Sequence, residues 1–278
     1  MGDYLQRTNE LVINTNTEPV LKNTNNIRII SLNINGLTDN YMNKSEIFDK
    51  LLEDEQPDII CLQETKCSLT SLQNITRHLF KNYKLYYSKA KKYELKKSTD
   101  YQFGTAILIK NNINYEYNYV DITELLPKKH EQTVKKVLEE GRINIVEINE
   151  IVLINVYVPF SLNRSKFRTQ FDNFFRNFVK HQFPEQRLII AGDFNSNNEV
   201  YQENIPGCKR FEVENFHKLQ DECELKKVNM TDPTILGPIF ASQIDHFLIR
   251  GVSYSKPRVL TNYYEISDHI PIAIDVRK

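Results

Sequence analysis

Six short apolar runs in this chain end on, or are preceded by, a polar residue that could do chemistry, and no other feature constrains the fold as tightly. IRIISLNI (27–34) closes on Asn33 and Asn35, DIICLQ (58–63) on Glu64, and the run through NVYVP on Tyr157. RLIIAGD (187–193) closes on Asp193 and Asn195, QIDHFLI (243–249) contains Asp245, and IPIAIDV (270–276) follows Asp268 and His269. β-Branched runs of this length read as buried strands. Residues two apart lie on one face of an extended chain, so Asn33 pairs with Asn35 and Asp193 with Asn195. Reactive groups in sheet proteins gather at strand ends, and these six ends are candidates for one pocket.

Helices fall between the runs. Ile47, Phe48, Leu51 and Leu52 have helical spacing within 44–54, and Pro57 stops that helix, giving a strand–helix–strand unit. Phe167, Phe171, Phe174, Phe175 and Phe178 form a strong apolar stripe over 164–182. Residues 211–220 read as a further helix, and 131–140 as a short one inside an excursion spanning 111–142. Tyr83–Ser88 and Thr105–Lys110 read as strands around a lysine-rich loop, 89–97. Residues 143–158 read as a hairpin turning near Asn149-Glu150. Residues 1–26 are polar and Asn/Thr-rich, and we expect a flexible leader there. No repeat or linker divides 27–278. The order of elements implies an α/β protein with helices outside a two-sheet core.

Composition excludes several alternatives. No stretch approaches the ~20 apolar residues of a spanning helix, and 11% aromatic residues can fill a core. Lys plus Arg and Asp plus Glu are both 36, so no bulk positive field draws the chain to nucleic acid. Four cysteines without a C-x-x-C pair fit neither a zinc site nor a disulfide scaffold. The N-terminus lacks the apolar segment of a signal peptide. An intracellular, reducing setting, nuclear or cytoplasmic, is the expectation.

The strand-end groups suit metal-assisted phosphodiester hydrolysis. A hard cation such as Mg²⁺ takes carboxylate oxygens, which Glu64 and one or two aspartates could supply. The ion would polarise a phosphoryl oxygen and stabilise a leaving oxyanion. His269 or Asp193 could act as general base, and Asn195 could donate to developing charge. Singly, each residue has an ordinary explanation as a turn, cap or solvated loop residue. Their joint occurrence, each at an apolar strand, outweighs those explanations.

SLNINGL, CLQET, FGTAILI, NVYVP, IIAGDFN, QIDHFLI and ISDHIPI, in this order, resemble the signature blocks of the endonuclease/exonuclease/phosphatase superfamily. The resemblance covers roughly 27–276. It implies a four-layered α/β sandwich, two packed mixed sheets flanked by helices. It assigns Glu64 as the main Mg²⁺ ligand (Mn²⁺ being possible), with Asn33 beside it and Asp268 in metal or leaving-group interactions. Asp193 and Asn195 would handle water or leaving-group protons, Tyr157 would contact the scissile phosphate, and His269 would be oriented by Asp245. Family mechanisms differ on whether the histidine deprotonates water or binds phosphate. We favour Asp193 as the base, because pairing to Asp245 would keep His269 protonated.

Within the superfamily the GDFN, IDH and SDH blocks resemble the AP endonuclease-like nucleases. SLNINGL with TNYYEISDH is most similar to the endonuclease domain of LINE-type retrotransposons, which nicks target DNA to prime reverse transcription. That resemblance implies double-stranded DNA as partner and, for a domain of a polyprotein, an attached reverse transcriptase. Alternatives are an abasic-site endonuclease, a 3′-exonuclease on DNA or RNA, and a catalytically dead binding module, which the intact acids and His269 argue against. Asn35 stands where repair enzymes tend to carry Asp. Phe160 stands where the family often has Asn, leaving Ser161 or Asn163 to contact phosphate. The chain has no tryptophan, which weighs against abasic-site recognition. Lys89, Lys91, Lys92, Lys96 and Lys97, with interleaved tyrosines, and Lys128, Lys129, Lys135 and Lys136 are candidate DNA-contacting clusters. Segment 250–265 resembles the hairpin loop that retrotransposon endonucleases lay on DNA.

Overall fold

The computed structural model describes residues 25–37, 44–95, 98–111, 113–126, 131–161, 164–197, 209–237 and 240–277. The chain opens with β1 (Asn26–Asn33), α1 (Ser45–Glu55), β2 (Ile59–Gln63) and α2 (Leu69–Leu79). β3 (Tyr83–Ser88), β4 (Lys91–Leu95), β5 (Ser98–Gln102), β6 (Thr105–Lys110) and β7 (Tyr117–Val120) follow. α3 (Ile122–Leu125) and α4 (Glu131–Glu139) lead to β8 (Ile143–Ile148), β9 (Ile151–Tyr157), α5 (Ser165–Gln182), β10 (Arg187–Asp193) and α6 (Arg210–Glu222). Then come the short strands β11 (Lys226–Lys227), β12 (Ile235–Leu236) and β13 (Ala241–Ser242). β14 (Asp245–Arg250), β15 (Tyr254–Val259), a 3-10 turn at Thr261–Tyr263 and β16 (Ile272–Arg277) complete it.

Two six-stranded sheets result, ordered β15-β16-β1-β2-β6-β3 and β11-β14-β10-β9-β8-β7. Each has a parallel pair at its centre, β1 with β2 and β9 with β10. α1 makes the crossover in one sheet and α5 in the other. The remaining pairs are antiparallel, so both sheets are mixed.

Side-chain alternation builds the layers. Ile27 and Ile29 of β1 point into the space between the sheets, against Leu153, Ile189 and Phe247. Ile30 and Leu32 point the other way, onto Phe48 and Leu51 of α1 and Leu72 and Leu79 of α2. The phenylalanine stripe of α5 covers the outer face of the second sheet, over Ile154, Val156 and Ile190. Burying a side chain of this size contributes roughly 1.5–3 kcal/mol. Helix, sheet, sheet, helix is the four-layered sandwich.

Along the inner faces the character changes toward one end. Ile27-Ile29 gives way to Ser31-Asn33, Ile59-Cys61 to Gln63, and Ile109-Ile107 to Thr105, all buried. In the second sheet Leu153 gives way to Asn155-Tyr157, Ala191 to Asp193 and Phe247 to Asp245. The register sets Asp193 opposite both Tyr157 and Asp245, and Gln63 opposite Asn33 and Thr105. The inter-sheet core is therefore apolar at one end and polar at the other, and the polar end holds the candidate site.

The helix at 44–54, the stripe helix, the 211–220 helix and the 143–158 hairpin all occur, with Asn149 at left-handed φ 52° in the turn. Three expectations are corrected, and one helix occurs where none was assigned. The lysine-rich loop 89–97 carries a strand, β4, which pairs with β5, because backbone pairing needs no apolar side chains. Segment 250–265 is not a free hairpin loop: β15 pairs with β16 at the sheet edge. The helix α2, capped by the Ser68 hydroxyl on the Ser71 amide, occupies a stretch with no assigned element. Asn26, placed in the leader, is the first residue of β1; most of that leader, residues 1–24, lies outside the described residues. Among the described residues no helix is long and apolar enough to cross a membrane. Cys61, Cys67 and Cys223 are buried free thiols.

Candidate active site

Two matching turns frame the site. At the end of β1 the Asn35 amide donates to Asn33 Oδ1 (3.0 Å), and at the end of β10 the Asn195 amide donates to Asp193 Oδ1 (2.8 Å). These side-chain-capped turns need left-handed backbone at the third residue, which Asn tolerates: φ is 48° at Asn35 and 46° at Asn195. Glu64 and Lys66 are also left-handed, at 51° and 47°. Their loop is locked: Glu64 and Thr65 carbonyls accept from Gly36 and Leu37, while Thr65 and Lys66 amides donate to Gly104 and Phe103. Such conformations cost about 1–3 kcal/mol each and persist where surroundings enforce them, commonly at active sites.

Asn33 joins the two sheets. Its Nδ2 donates to Glu64 Oε1 (3.0 Å) and to Asp193 Oδ2 (2.9 Å). Asn195 Nδ2 donates to the Val158 carbonyl (2.9 Å) and more weakly to Asp193 Oδ2 (3.3 Å). The Tyr157 hydroxyl faces the Glu64 carboxylate, and each shifts the other's ionisation. His269 Nδ1 donates to Asp245 Oδ2 (2.8 Å), and Thr234 Oγ1 accepts the Asp245 amide (3.1 Å). Ligand atoms of Asp193, Asp245 and His269 lie within 4.8 Å of one another. At the exposed rim Asn35 Nδ2 donates to Asp268 Oδ1 (3.0 Å).

The charges follow from these contacts. Burial pushes Asp193 up and the neighbouring Asp245 carboxylate pushes it further, so it holds a proton far more readily than an ordinary aspartate. Burial alone would lower His269, but the Asp245 charge and hydrogen bond outweigh it and raise the imidazole well above its usual value. Glu64 goes the other way. Burial would raise it, but the Lys66 charge and donors from Asn33, Lys66 and Tyr157 hold it low and ionised. Burial and the Glu64 charge push the Tyr157 phenol up, so it stays protonated as a donor.

The structure thus gathers Asn33, Asn35, Glu64, Tyr157, Asp193, Asn195, Asp245, Asp268 and His269 at one end of the sandwich. Lys91 and Lys92 are on the β4–β5 hairpin: Lys91 bonds Glu139 (2.8 Å), and Lys92 is exposed. Asn163, Lys96, Lys97, Lys128 and Lys129 lie outside the described residues. Ser161 is buried and accepts from Lys209 Nζ (3.1 Å).

Three residues were not foreseen. Lys66 pairs with Glu64 Oε2 at 2.5 Å and bonds Asn35 Oδ1. Arg142, buried and paired with Glu140, lies 4.8 Å from the Tyr157 ring centroid and donates to the Tyr157 carbonyl (3.0 Å). Asn155 donates to the Leu62 (3.0 Å) and Ala106 (2.9 Å) carbonyls of the opposite sheet and accepts from Gln63 (2.8 Å). Period two signals Asn155, two residues before Tyr157 on the same face. Lys66 follows CLQET directly.

The donor set fits a hard cation. It is rich in oxygen, and Asp245 Oδ1, fully buried, has no hydrogen-bond partner among the described residues.

A family model described as the endonuclease/exonuclease/phosphatase family matches residues 30–269. The chain belongs to this family. An exodeoxyribonuclease of Bacillus subtilis is 29% identical over 174 residues, 61% of this chain and 58% of that protein. A DNA-(apurinic or apyrimidinic site) endonuclease of Dictyostelium discoideum is 25% identical over 185 residues, 62% of this chain and 42% of that protein. The matches thus span about half the length of these curated relatives. Among solved structures, the AP endonuclease LMAP of Leishmania major superposes with TM-score 0.72 at 17% identity, covering 100% of this chain and 99% of that one. The 3′ phosphatase NExo of Neisseria, bound to a product DNA hairpin, gives 0.65 at 19% identity, covering 90% and 99%. At these identities the likeness shows the shared fold.

Proposed function

We propose that the chain is a divalent-metal-dependent nuclease that hydrolyses phosphodiester bonds in double-stranded DNA. The carrying observation is the buried group Asp193, Asp245 and His269, joined through Asn33 to Glu64. Glu64 and Asn33, with Asp268 at the rim, would hold Mg²⁺ or Mn²⁺, which supplies charge neutralisation and polarisation of the phosphate when bound. Asp193, fixed by Asn33 and Asn195, takes a proton from the attacking water. Protonated His269 donates to a phosphate oxygen, with Asp245 holding its ring. Tyr157 presents its hydroxyl beside Glu64, and Arg142 packs against its ring.

Among nucleases, we read the chain as a retrotransposon-type endonuclease that nicks intact target DNA to prime reverse transcription, acting with an attached reverse transcriptase inside the cell. Asn35, the TNYYEISDH segment and the lack of tryptophan support this. A second reading, an AP endonuclease or 3′-exonuclease of repair type, is favoured by the likeness to the Bacillus and Dictyostelium enzymes.

One assay separates them. Supercoiled plasmid, an abasic duplex and a duplex with recessed 3′ ends are each incubated with Mg²⁺ or with EDTA. Metal-dependent plasmid nicking, lost in His269→Ala, is the expected result. Cleavage confined to the abasic duplex, or trimming of 3′ ends alone, would establish the repair reading. No cleavage of any substrate overturns both.

A further inference from the structure

We propose that Lys66 is a displaceable internal cation: its ammonium fills the cation position at Glu64 while no divalent ion is bound, and a divalent ion enters by exchanging with it. This rests on reading Glu64 as a metal ligand.

Both Glu64 oxygens already have donors, Asn33 Nδ2 on Oε1 and Lys66 Nζ on Oε2. The same ammonium bonds Asn35 Oδ1. A divalent ion cannot reach Oε2 with the ammonium in place, because two cations a few ångströms apart in a half-buried site repel strongly. One must leave, and the side chain is built to be the one. The structural cations of this protein are arginines: Arg28, Arg142 and Arg168 are buried and held by several bonds each. Lys66 is a single point charge on a flexible stem, and its side chain is 30% exposed. Its backbone is pinned by the bond to Phe103, so only the side chain need move.

Asn35 eases the exchange. An amide offers the ammonium one dipole where a carboxylate would offer a second full charge. Asn35 also spends its Nδ2 on Asp268, which keeps that carboxylate at the rim. The released ammonium remains tethered at the mouth, where an anionic substrate arrives.

The test measures Mn²⁺ binding by the full chain without DNA, using electron paramagnetic resonance and calorimetry. Lys66→Met should bind Mn²⁺ roughly tenfold or more tightly than the unaltered chain, since the competing charge is gone. Lys66→Arg should show no such gain, and the gain should vanish in a Glu64→Gln background. Metal-free Lys66→Met should melt below the unaltered chain, and the two should converge at saturating Mn²⁺. Equal or weaker Mn²⁺ binding by Lys66→Met overturns the proposal, as does absence of binding to either protein. Should Lys66→Met fold poorly, the ¹⁵Nζ resonance of Lys66 in the unaltered chain is followed through a Mg²⁺ titration. It should shift along the binding curve, and an unmoved resonance overturns the exchange. DNA cleavage without exchange would remove this proposal alone; exchange without cleavage would remove the nuclease reading alone.

Discussion

Asn33–Ile34–Asn35 and Asp193–Phe194–Asn195 are the same turn built twice, once after a central strand of each sheet. Both place a buried apolar residue in the middle, both bond the third amide back to the first side chain, and both end left-handed. They differ in one group: the first sheet offers an amide where the second offers an acid. The electrostatics diverge accordingly. The acid beside the first turn, Glu64, is matched by the Lys66 charge and by donors from Asn33, Lys66 and Tyr157, and is held low. The acid of the second turn, Asp193, is buried facing Asp245 and is driven up. Backbone geometry sets where groups stand, and charge compensation decides which is a fixed anion and which a proton carrier.

The largest effect is expected from making the turns alike. Asp193→Asn should reduce cleavage by roughly 10³-fold, within the range for losing a positioned base. Its stability effect should have the opposite sign to that of Glu64→Gln. A raised acid contributes stability that is complete below its unfolded value near 3.8 and is lost as pH rises through its folded value. Removing it should therefore raise the metal-free Tm at pH 8 by about 2–4 °C for each kcal/mol relieved. A lowered acid contributes stability above its unfolded value near 4.5, so Glu64→Gln should lower Tm at the same pH. Calorimetry on both variants in EDTA checks the pair; shifts of equal sign break the comparison.

The next effect is on pH dependence. Asp193 is pushed up to about 7 and His269 up to about 10. Cleavage should rise about tenfold per unit below the first value, as Asp193 loses its proton. It should fall above the second, as His269 loses its own. A bound dication nearby lowers both limbs. His269→Asn should abolish the alkaline limb while keeping the acidic one. An alkaline limb surviving in that variant would assign it elsewhere, and would favour a neutral, metal-ligating imidazole.

A smaller effect should come from the joint between the sheets. Asn155 ties β9, which carries Tyr157, to the carbonyls of Leu62 and Ala106 in the opposite sheet. Asn155→Val leaves those carbonyls and the Gln63 amide without this partner, costing about 1–3 kcal/mol of stability per buried group. The turnover rate should fall roughly tenfold, by the same energetic scale. In a Tyr157→Phe background the turnover effect should shrink while the stability loss remains. Full additivity in that double-mutant cycle would make Asn155 a purely structural residue.

Much of this was legible in the sequence because strand-end residues are fixed by period two. Once IIAGD and RIISLN are strands, Asp193 and Asn33 fall on inner faces, whereas Asn195 and Asn35 lie past the strand ends in left-handed turns. Helices with broad apolar stripes, such as the phenylalanine-rich α5, were equally plain. α2 was not, because only Leu72, Ile75, Thr76 and Leu79 are buried, a stripe narrower than that of α5. Lys66 and Arg142 were not, because a cation's role depends on partners distant in sequence: the Tyr157 ring and carbonyl for Arg142, Asn35 for Lys66. The orphaned oxygen of Asp245 is likewise a property of packing, which no linear pattern reports.

The smallest effect concerns what each sheet carries beyond the shared plan. The first sheet extrudes the β4–β5 hairpin between β3 and β6, and the second inserts α3 and α4 between β7 and β8. Lys91 bonds Glu139 of α4 at 2.8 Å, so the two additions meet across the sandwich edge. Both partners are substantially exposed, so the bond adds little to stability. Lys92 is exposed on the same hairpin, opposite Tyr101 in the register. If the hairpin lies along DNA, Lys92→Ala should weaken duplex binding only a few-fold and without regard to sequence. It should also lessen the slope of log affinity against log salt by about one unit, the mark of a single phosphate contact. Lys91→Ala should do less, since its charge is already shared with Glu139. Titrations at several salt concentrations with a catalytically silent Asp193→Asn background give both slopes. Identical slopes for the unaltered hairpin and Lys92→Ala would remove the hairpin from the DNA interface and leave contact to the site's own rim.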